Sequence, residues 1–203
     1  MKNLQHWPPG LPQHLELPQT SLYFNLEVSA KRYPDSAAII YYDSVLSYAE
    51  LKRQVDALAG FLQQQFDVVK GDRVALYLQN SPQFIIAFYA ILRVGAVVVP
   101  VNTMNLLEEV RHVVADSGSK VAILGQELAA NITPLLGNEL DHALSACYSD
   151  YLGAETDLPI PEVVAAGCID MAPTGIASGL TALVDWKQAL LSDAIATDVA
   201  TGP

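Results

Sequence analysis

The residues that could carry chemistry in this chain are few and widely spaced. His6, His14, His112 and His142 lack the short, fixed separations with which imidazoles converge on a metal, and His112 falls where it would cap or line a helix face, so no metal site is expected from them. Cys147 and Cys168 form neither a C-x-x-C pair nor a disulfide framework, which is the pattern of reduced, structural thiols in a cytosolic protein. The stretch PTGIASGLT, Pro173 to Thr181, sets small residues between Gly175 and Gly179 and could be taken for a phosphate loop. Its G-x-x-x-G spacing fits neither a P-loop nor a dinucleotide fingerprint, and no lysine follows until Lys187, so it reads as a loose connection. Asn80, Ser81 and Asn102 stand at element boundaries, where caps and turns are the ordinary use of such side chains. The residues alone nominate no catalytic, cofactor-binding or metal-ligating position.

The elements around these residues are easier to read. Within Lys70–Asn102, Gly71 and Asp72 stop what precedes them and Arg73–Leu78 has the apolar, β-branched texture of a strand. Ser81 then offers an acceptor for free helix N–H groups, and Pro82 lacks the donor that would be orphaned there. Gly95 can take the positive φ that closes a helix, and Ala96–Val101 resumes as a β-rich run. A strand, a helix apolar on nearly every face and a second strand, joined by short loops, are what a covered parallel sheet requires. The apolar run Phe84–Val101 is not expected to span a membrane: Arg93 would cost roughly 2.5–3.5 kcal/mol at the bilayer centre, and Gly95 and Pro100 interrupt it. The amino terminus shows no secretory-signal pattern, and a cytoplasmic location is expected.

Composition narrows the function classes. The 203 residues hold 11 Lys and Arg against 22 Asp and Glu, a formal charge of −11, which lacks the basic footprint of a nucleic-acid binder. Only 16% of residues are charged and 51% are hydrophobic, against about 25% charged in an ordinary soluble domain. Either the sheet is unusually well covered, or part of the surface packs against polypeptide absent here; on the second reading the chain exposes an apolar face and self-associates.

Along the chain, residues 1–20 form a proline-rich extended arm, with Trp7, Pro8, Pro9, Gly10, Pro12 and Pro18. Asn25–Arg32 reads as a short helix stopped before Pro34. Ala37–Tyr42 and Val45–Ser47 pair as a hairpin turning at Asp43 and Ser44. Ser47 and Glu50 make a capping box for the amphipathic helix Ser47–Phe66, whose stripe is Leu51, Val55, Leu58 and Leu62. A helix at Asn105–Ser117, a strand at Lys120–Leu124, a helix at Glu127–Leu136 and a strand at Ala143–Tyr148 continue the alternation. The class is α/β: a mostly parallel, doubly wound sheet with helices on both faces. Residues 21–152 make up this α/β unit, and 153–203 form an irregular connection with one short helix at Asp185–Leu191.

Three ordered segments resemble the adenylate-forming superfamily of acyl-CoA synthetases, luciferases and peptide-synthetase adenylation domains. YPDSAAIIYYDSVLSYAEL (Tyr33–Leu51) is similar to its opening hairpin and [LS]-[TS]-Y-x-E-L sequence. GDRVALYLQNSPQFIIAFYAILRVGAVVVPVN (Gly71–Asn102) resembles the landmark in which a helix ends in Gly-Ala before a strand closing on Pro, and LLEEVRHVVADSGSKVAIL (Leu106–Leu124) resembles the helix and strand that follow. Pro100–Asn102 is similar to acyl-CoA ligases rather than to peptide-synthetase domains, and YSDYL (Tyr148–Leu152) looks like fatty-acyl-CoA ligases. The resemblance runs from about Ser21 to Leu152 and implies the first amino-terminal subdomain of an acyl-CoA synthetase.

What it implies for the parent enzyme is a two-step reaction. A fatty acid carboxylate attacks ATP, with Mg²⁺ on the phosphates, to give acyl-AMP and pyrophosphate; the thiol of CoA then displaces AMP. The phosphate loop, ribose aspartate and catalytic lysine of that family have no counterpart here, and Ala200–Pro203 fall about where the phosphate loop would follow. Thr103, Met104 and Asn105 stand where some relatives carry a basic residue near CoA. The expectation is an amino-terminal part of a fatty-acid CoA ligase, binding no cofactor and inactive alone, whose partner is the remainder of the ligase chain. The alternative is a stand-alone, non-catalytic interaction module with the same fold. A generic nucleotide-binding α/β protein lacks the glycine fingerprint it would need.

Overall fold

The computed structural model describes residues 6–12, 14, 19–153, 155–169, 182–192 and 194–199. Helix α1 (Leu22–Arg32) begins three residues before the expected Asn25, because the Ser21 hydroxyl accepts the Phe24 N–H at 3.3 Å and caps it there. Strands β1 (Ala37–Tyr41) and β2 (Ser44–Ser47) pair antiparallel with Tyr41 opposite Ser44, so the turn is Tyr42–Asp43, one residue earlier than expected. Both turn residues take positive φ, 46° and 63°, the geometry of a two-residue primed turn adopted here without glycine. Ser47 caps α2 (Tyr48–Gln65) by accepting the Glu50 N–H at 3.2 Å. The expected capping box is only half made, since the Glu50 carboxylate accepts instead from Arg53 and Gln54.

The main sheet consists of β3 (Arg73–Tyr77), β4 (Val97–Pro100), β5 (Val121–Gly125), β6 (His142–Ala146) and β7 (Ala182–Asp185), ordered β4-β3-β5-β6-β7 and parallel at every pairing. Between β3 and β4 runs α3 (Pro82–Arg93), capped by the Ser81 hydroxyl on the Phe84 N–H and followed by Gly95 at φ +72°. Between β4 and β5 runs α4 (Leu107–Ser117), two residues shorter than expected: Asn105 is used in a turn, and the Glu109 carboxylate accepts the Leu106 N–H at 2.8 Å.

The expected helix Glu127–Leu136 is broken into a 3₁₀ turn at Gln126–Leu128, a single helical turn α5 (Ala129–Ile132) and a second 3₁₀ turn at Thr133–Leu135. Pro134 has no N–H for the carbonyl four residues back, so a regular α-helix cannot pass through it. β6 ends at Ala146, two residues before the expected Tyr148, which instead opens a 3₁₀ turn, Tyr148–Tyr151. α6 (Glu162–Ala165) lies within the stretch expected to be irregular, and β7 extends the sheet from that same stretch. Asp185 closes β7 and caps α7 (Trp186–Leu190), accepting the Lys187 N–H at 2.8 Å.

The strands alternate their side chains between two cores. Val74, Leu76, Val121, Ile123, Leu144 and Val184 face α1, α2, α3 and α7, whereas Ala75, Tyr77, Ala122, Leu124 and Ala143 face α4 and α5. Val55, Leu58 and Leu62 on the α2 stripe are fully buried, each contributing about 1.5–3 kcal/mol. Helices thus cover both faces, as a doubly wound sheet demands.

The expectation of two reduced thiols is overturned: Cys147 and Cys168 are joined in a disulfide, with Cα atoms 5.4 Å apart. They are separated by 21 residues in sequence, and only the return of the chain after α6 to the end of β6 brings them together.

Candidate functional site at the carboxyl ends of the strands

The chain leaves β3 through α3 toward one edge of the sheet and leaves β5 toward the other edge. The crevice outside the carboxyl ends of two such strands is where open α/β sheets take ligands. Here it is lined by the segments after β3 and β5, by the Tyr148–Tyr151 turn and by the β1–β2 hairpin.

Gly125 ends β5 at the centre of this crevice. A Cβ there would overlap both the Tyr148 hydroxyl and the Glu127 carboxylate, so glycine is required by close approach rather than by backbone angle. Tyr148, 1% exposed, reaches across β5 and β3: its hydroxyl accepts the Gln79 N–H at 2.9 Å and donates to Glu127 Oε1 at 3.1 Å. Gln83, fully buried in the first turn of α3, donates its amide N–H to the Cys147 carbonyl at 2.7 Å. Its amide oxygen and the Tyr41 hydroxyl are buried with no hydrogen-bond partner.

Burial dominates the titration of these groups. It raises the Tyr41 pKa to about 12, with the Tyr42 hydroxyl and the Glu127 charge pushing the same way. It also raises the Tyr148 pKa, and it raises that of Glu127 at the rim even though the Tyr148 hydrogen bond pulls the other way. At neutral pH both phenols therefore stay protonated and can only donate or accept hydrogen bonds.

Below this cluster the 3₁₀ turn is braced on every side. The Tyr151 hydroxyl donates to Gln54 of α2 and accepts the Trp186 indole N–H at 3.2 Å. Lys187 Nζ lies 2.6 Å from Asp150 Oδ1. Gln126 donates to the Gly167 carbonyl and accepts the Ile169 N–H, each at 2.9 Å, which clamps the segment bearing Cys168. This arrangement can orient polar groups and fix the course of the backbone. Among the described residues Glu127 and Asp150 place carboxylates around it, and the Lys187 ammonium is paired with Asp150.

The profile of the AMP-binding enzyme family matches residues 26–166, more than half of the chain. The chain belongs to the AMP-binding enzyme family. Among relatives, it is 31% identical to a long-chain-fatty-acid–CoA ligase of Yersinia pestis over 74% of its own length and 27% of the relative's. It is 36% identical to a Bacillus subtilis enzyme of the same name over 59% and 21% of the two lengths. The chain thus spans about a quarter of the curated relatives it matches. Its fold matches the amino-terminal subdomain of Klebsiella oxytoca NpsA, solved with anthranilyl-AMSN, at a TM-score of 0.53 and 30% identity, covering 62% of this chain and 31% of that one. It corresponds to the amino-terminal region of adenylate-forming ligases.

In this AMP-binding enzyme chain the residues singled out from sequence scatter. His6 and His14 lie on the exposed amino-terminal arm and His112 on the exposed face of α4. His142 opens β6 at the opposite end of the sheet, stacked on Phe66 with ring centroids 4.5 Å apart. Asn102 is a turn residue whose side chain accepts the Met104 N–H at 3.0 Å, and Met104 is exposed. Asn105 accepts the Tyr77 hydroxyl, and Ser81 caps α3. Pro173–Thr181 lies outside the described residues. Sequence reading missed Gln83, Gly125, Glu127, Tyr148 and Asp150; the one available signal was YSDYL, quoted as a family likeness without a role for its side chains.

Proposed function

We propose that this chain is the amino-terminal part of an ATP-dependent fatty-acid CoA ligase. The observation that carries the reading is the similarity to long-chain-fatty-acid–CoA ligases over up to 74% of the chain. Pro100–Asn102, similar to acyl-CoA ligases, and Tyr148–Leu152, which looks like fatty-acyl-CoA ligases, support it. In the parent enzyme a fatty acid carboxylate attacks ATP, releasing pyrophosphate and leaving acyl-AMP, and the thiol of CoA displaces AMP to form the thioester. Mg²⁺ would supply positive charge on the phosphate oxygens.

The part played by this chain is structural: it builds the sheet and braces the loops at its carboxyl ends. Adenylation needs backbone donors and cations around the triphosphate, and the described residues offer none in that arrangement. On this reading the chain alone is inactive, and the remainder of the ligase is its partner. That remainder would cover exposed apolar residues such as Ile40 and Val45, which sit opposite each other across the hairpin; without it the chain self-associates. The reading carries a cytoplasmic location with it; no helix among the described residues is long and apolar enough to cross a membrane.

Incubation with ATP, Mg²⁺, a fatty acid and labelled pyrophosphate gives no exchange for the 203-residue chain and rapid exchange once it is joined to the polypeptide encoded downstream. Exchange by the chain alone would refute its inactivity. In the native gene, an open frame after the Pro203 codon that runs into a Ser/Thr/Gly-rich loop supports the ligase; a stop codon there replaces it with a non-catalytic interaction module.

A further inference from the structure

The ligase reading assigns no role to the side chains of Cys147, Asp150 and Cys168. One ligand atom from each of the three lies within 4.8 Å of the others. Cys147 is buried at the end of β6, and Cys168 is exposed on the segment that Gln126 clamps. The Asp150 side chain is only 7% exposed. Its Oδ2 is buried without a hydrogen-bond partner, and its Oδ1 stands 2.9 Å from the Cys168 sulfur.

A disulfide sulfur carries no proton. In the oxidised form the Cys168 sulfur and the Asp150 carboxylate are thus two electron-rich atoms in contact, with the Lys187 ammonium, 2.6 Å from Oδ1, as the offsetting charge. Once reduced, the same three residues offer two thiolates and a carboxylate from converging directions. That is a donor set for a zinc ion with its fourth position open.

We propose that the reduced chain binds one zinc ion through Cys147, Cys168 and Asp150, with water in the fourth position, and that zinc and the disulfide are alternative cross-links between the end of β6 and the segment after α6. Reduction by two molecules of a low-molecular-weight thiol breaks the S–S bond. The two thiols supply the two electrons and leave joined as their own disulfide, and their two protons pass to Cys147 and Cys168. Zinc then displaces both thiol protons to solvent as two Zn–S bonds form. Bonds of about 2.3 Å at tetrahedral angles set the sulfurs roughly 3.8 Å apart. Cys168 lies outside helix and strand, where side-chain rotation can open that gap. This proposal is independent of the ligase reading and survives its failure.

The test is anaerobic titration of the phosphine-reduced 203-residue chain with Co²⁺ and then Zn²⁺. The expected result is one Co²⁺ per chain, a thiolate-to-cobalt charge-transfer band in the near ultraviolet, stoichiometric displacement by Zn²⁺, and no band in the oxidised protein. Cys168→Ser, at an exposed position whose folding is checked by circular dichroism, loses the band. Asp150→Asn weakens zinc by more than the roughly 10–100-fold that loss of an outer-shell partner costs. No band in the reduced wild type, or an unchanged band and affinity in both variants, overturns the proposal.

Discussion

At the carboxyl ends of β3 and β5 the polar groups are tied to one another in a largely closed cluster, whereas at the amino ends of β3, β5 and β6 they line an open cleft of about 420 Å³. The cleft is bordered by Asp67, Asp72, Arg73, Lys120, Asp141 and His142, and all but Asp72 and His142 are exposed. The difference follows from what the chain does at each end. At the amino ends it enters the strands through surface turns, and charged side chains keep their water. At the carboxyl ends the buried Tyr148, which opens the turn after β6, and the buried Gln83 lie against these strand ends, so the Tyr148 hydroxyl and the Gln83 amide N–H find partners inside the protein. A polar atom costs little at the first end and a great deal at the second.

Gly125→Val should separate the two ends most sharply. The side chain would displace the Tyr148 hydroxyl and the Glu127 carboxylate, for a loss of about 3 kcal/mol in urea unfolding. Asp141→Asn at the amino end should stay within about 0.5 kcal/mol of wild type. Equal losses for the two variants would erase the contrast.

Tyr148→Phe should come next. It removes the acceptor of the Gln79 N–H and costs about 1–3 kcal/mol. A loss too small to measure would mean that water reaches the carboxyl end as freely as the amino end.

Glu127→Gln sharpens the comparison through pH with the smallest effect. The folded Glu127 pKa lies above its usual value because of burial, so the native state holds this proton more tightly than the unfolded chain does. Its contribution to stability is complete below the unfolded pKa and is lost as pH rises through the folded one. The variant should flatten that fall across the carboxylate range; an unchanged slope would show that burial does not act on this carboxyl.

Much of the architecture was legible from local chemistry. Ser47, Ser81 and Pro82, and Gly95 marked the ends of α2 and α3 because caps act on their own neighbours, and the α2 stripe named its buried face. Where a second local effect intervened, the boundaries moved: Pro134 broke the expected helix after β5, and Ser21 started α1 early. Strand β7 was not legible, because its formation depends on the free hydrogen-bonding edge of β6, which its own residues do not record. The carboxyl-end cluster was equally hidden. Its hydrogen bonds join residues 64 and 69 positions apart, and no local pattern records such distances.

The sequence by itself determined the α/β class, the order of strand and helix, the landmarks of the AMP-binding enzyme family and the lack of a basic nucleic-acid footprint, since composition, caps and periodicity are properties of the chain at short range. Only the tertiary structure decided that Tyr148 braces β3 against Glu127, that Gly125 must lack a side chain, and that Cys147 and Cys168 meet beside Asp150. The physical reason is the same in each case: these are contacts between segments that the sheet folds together, and their energies exist only once it has done so.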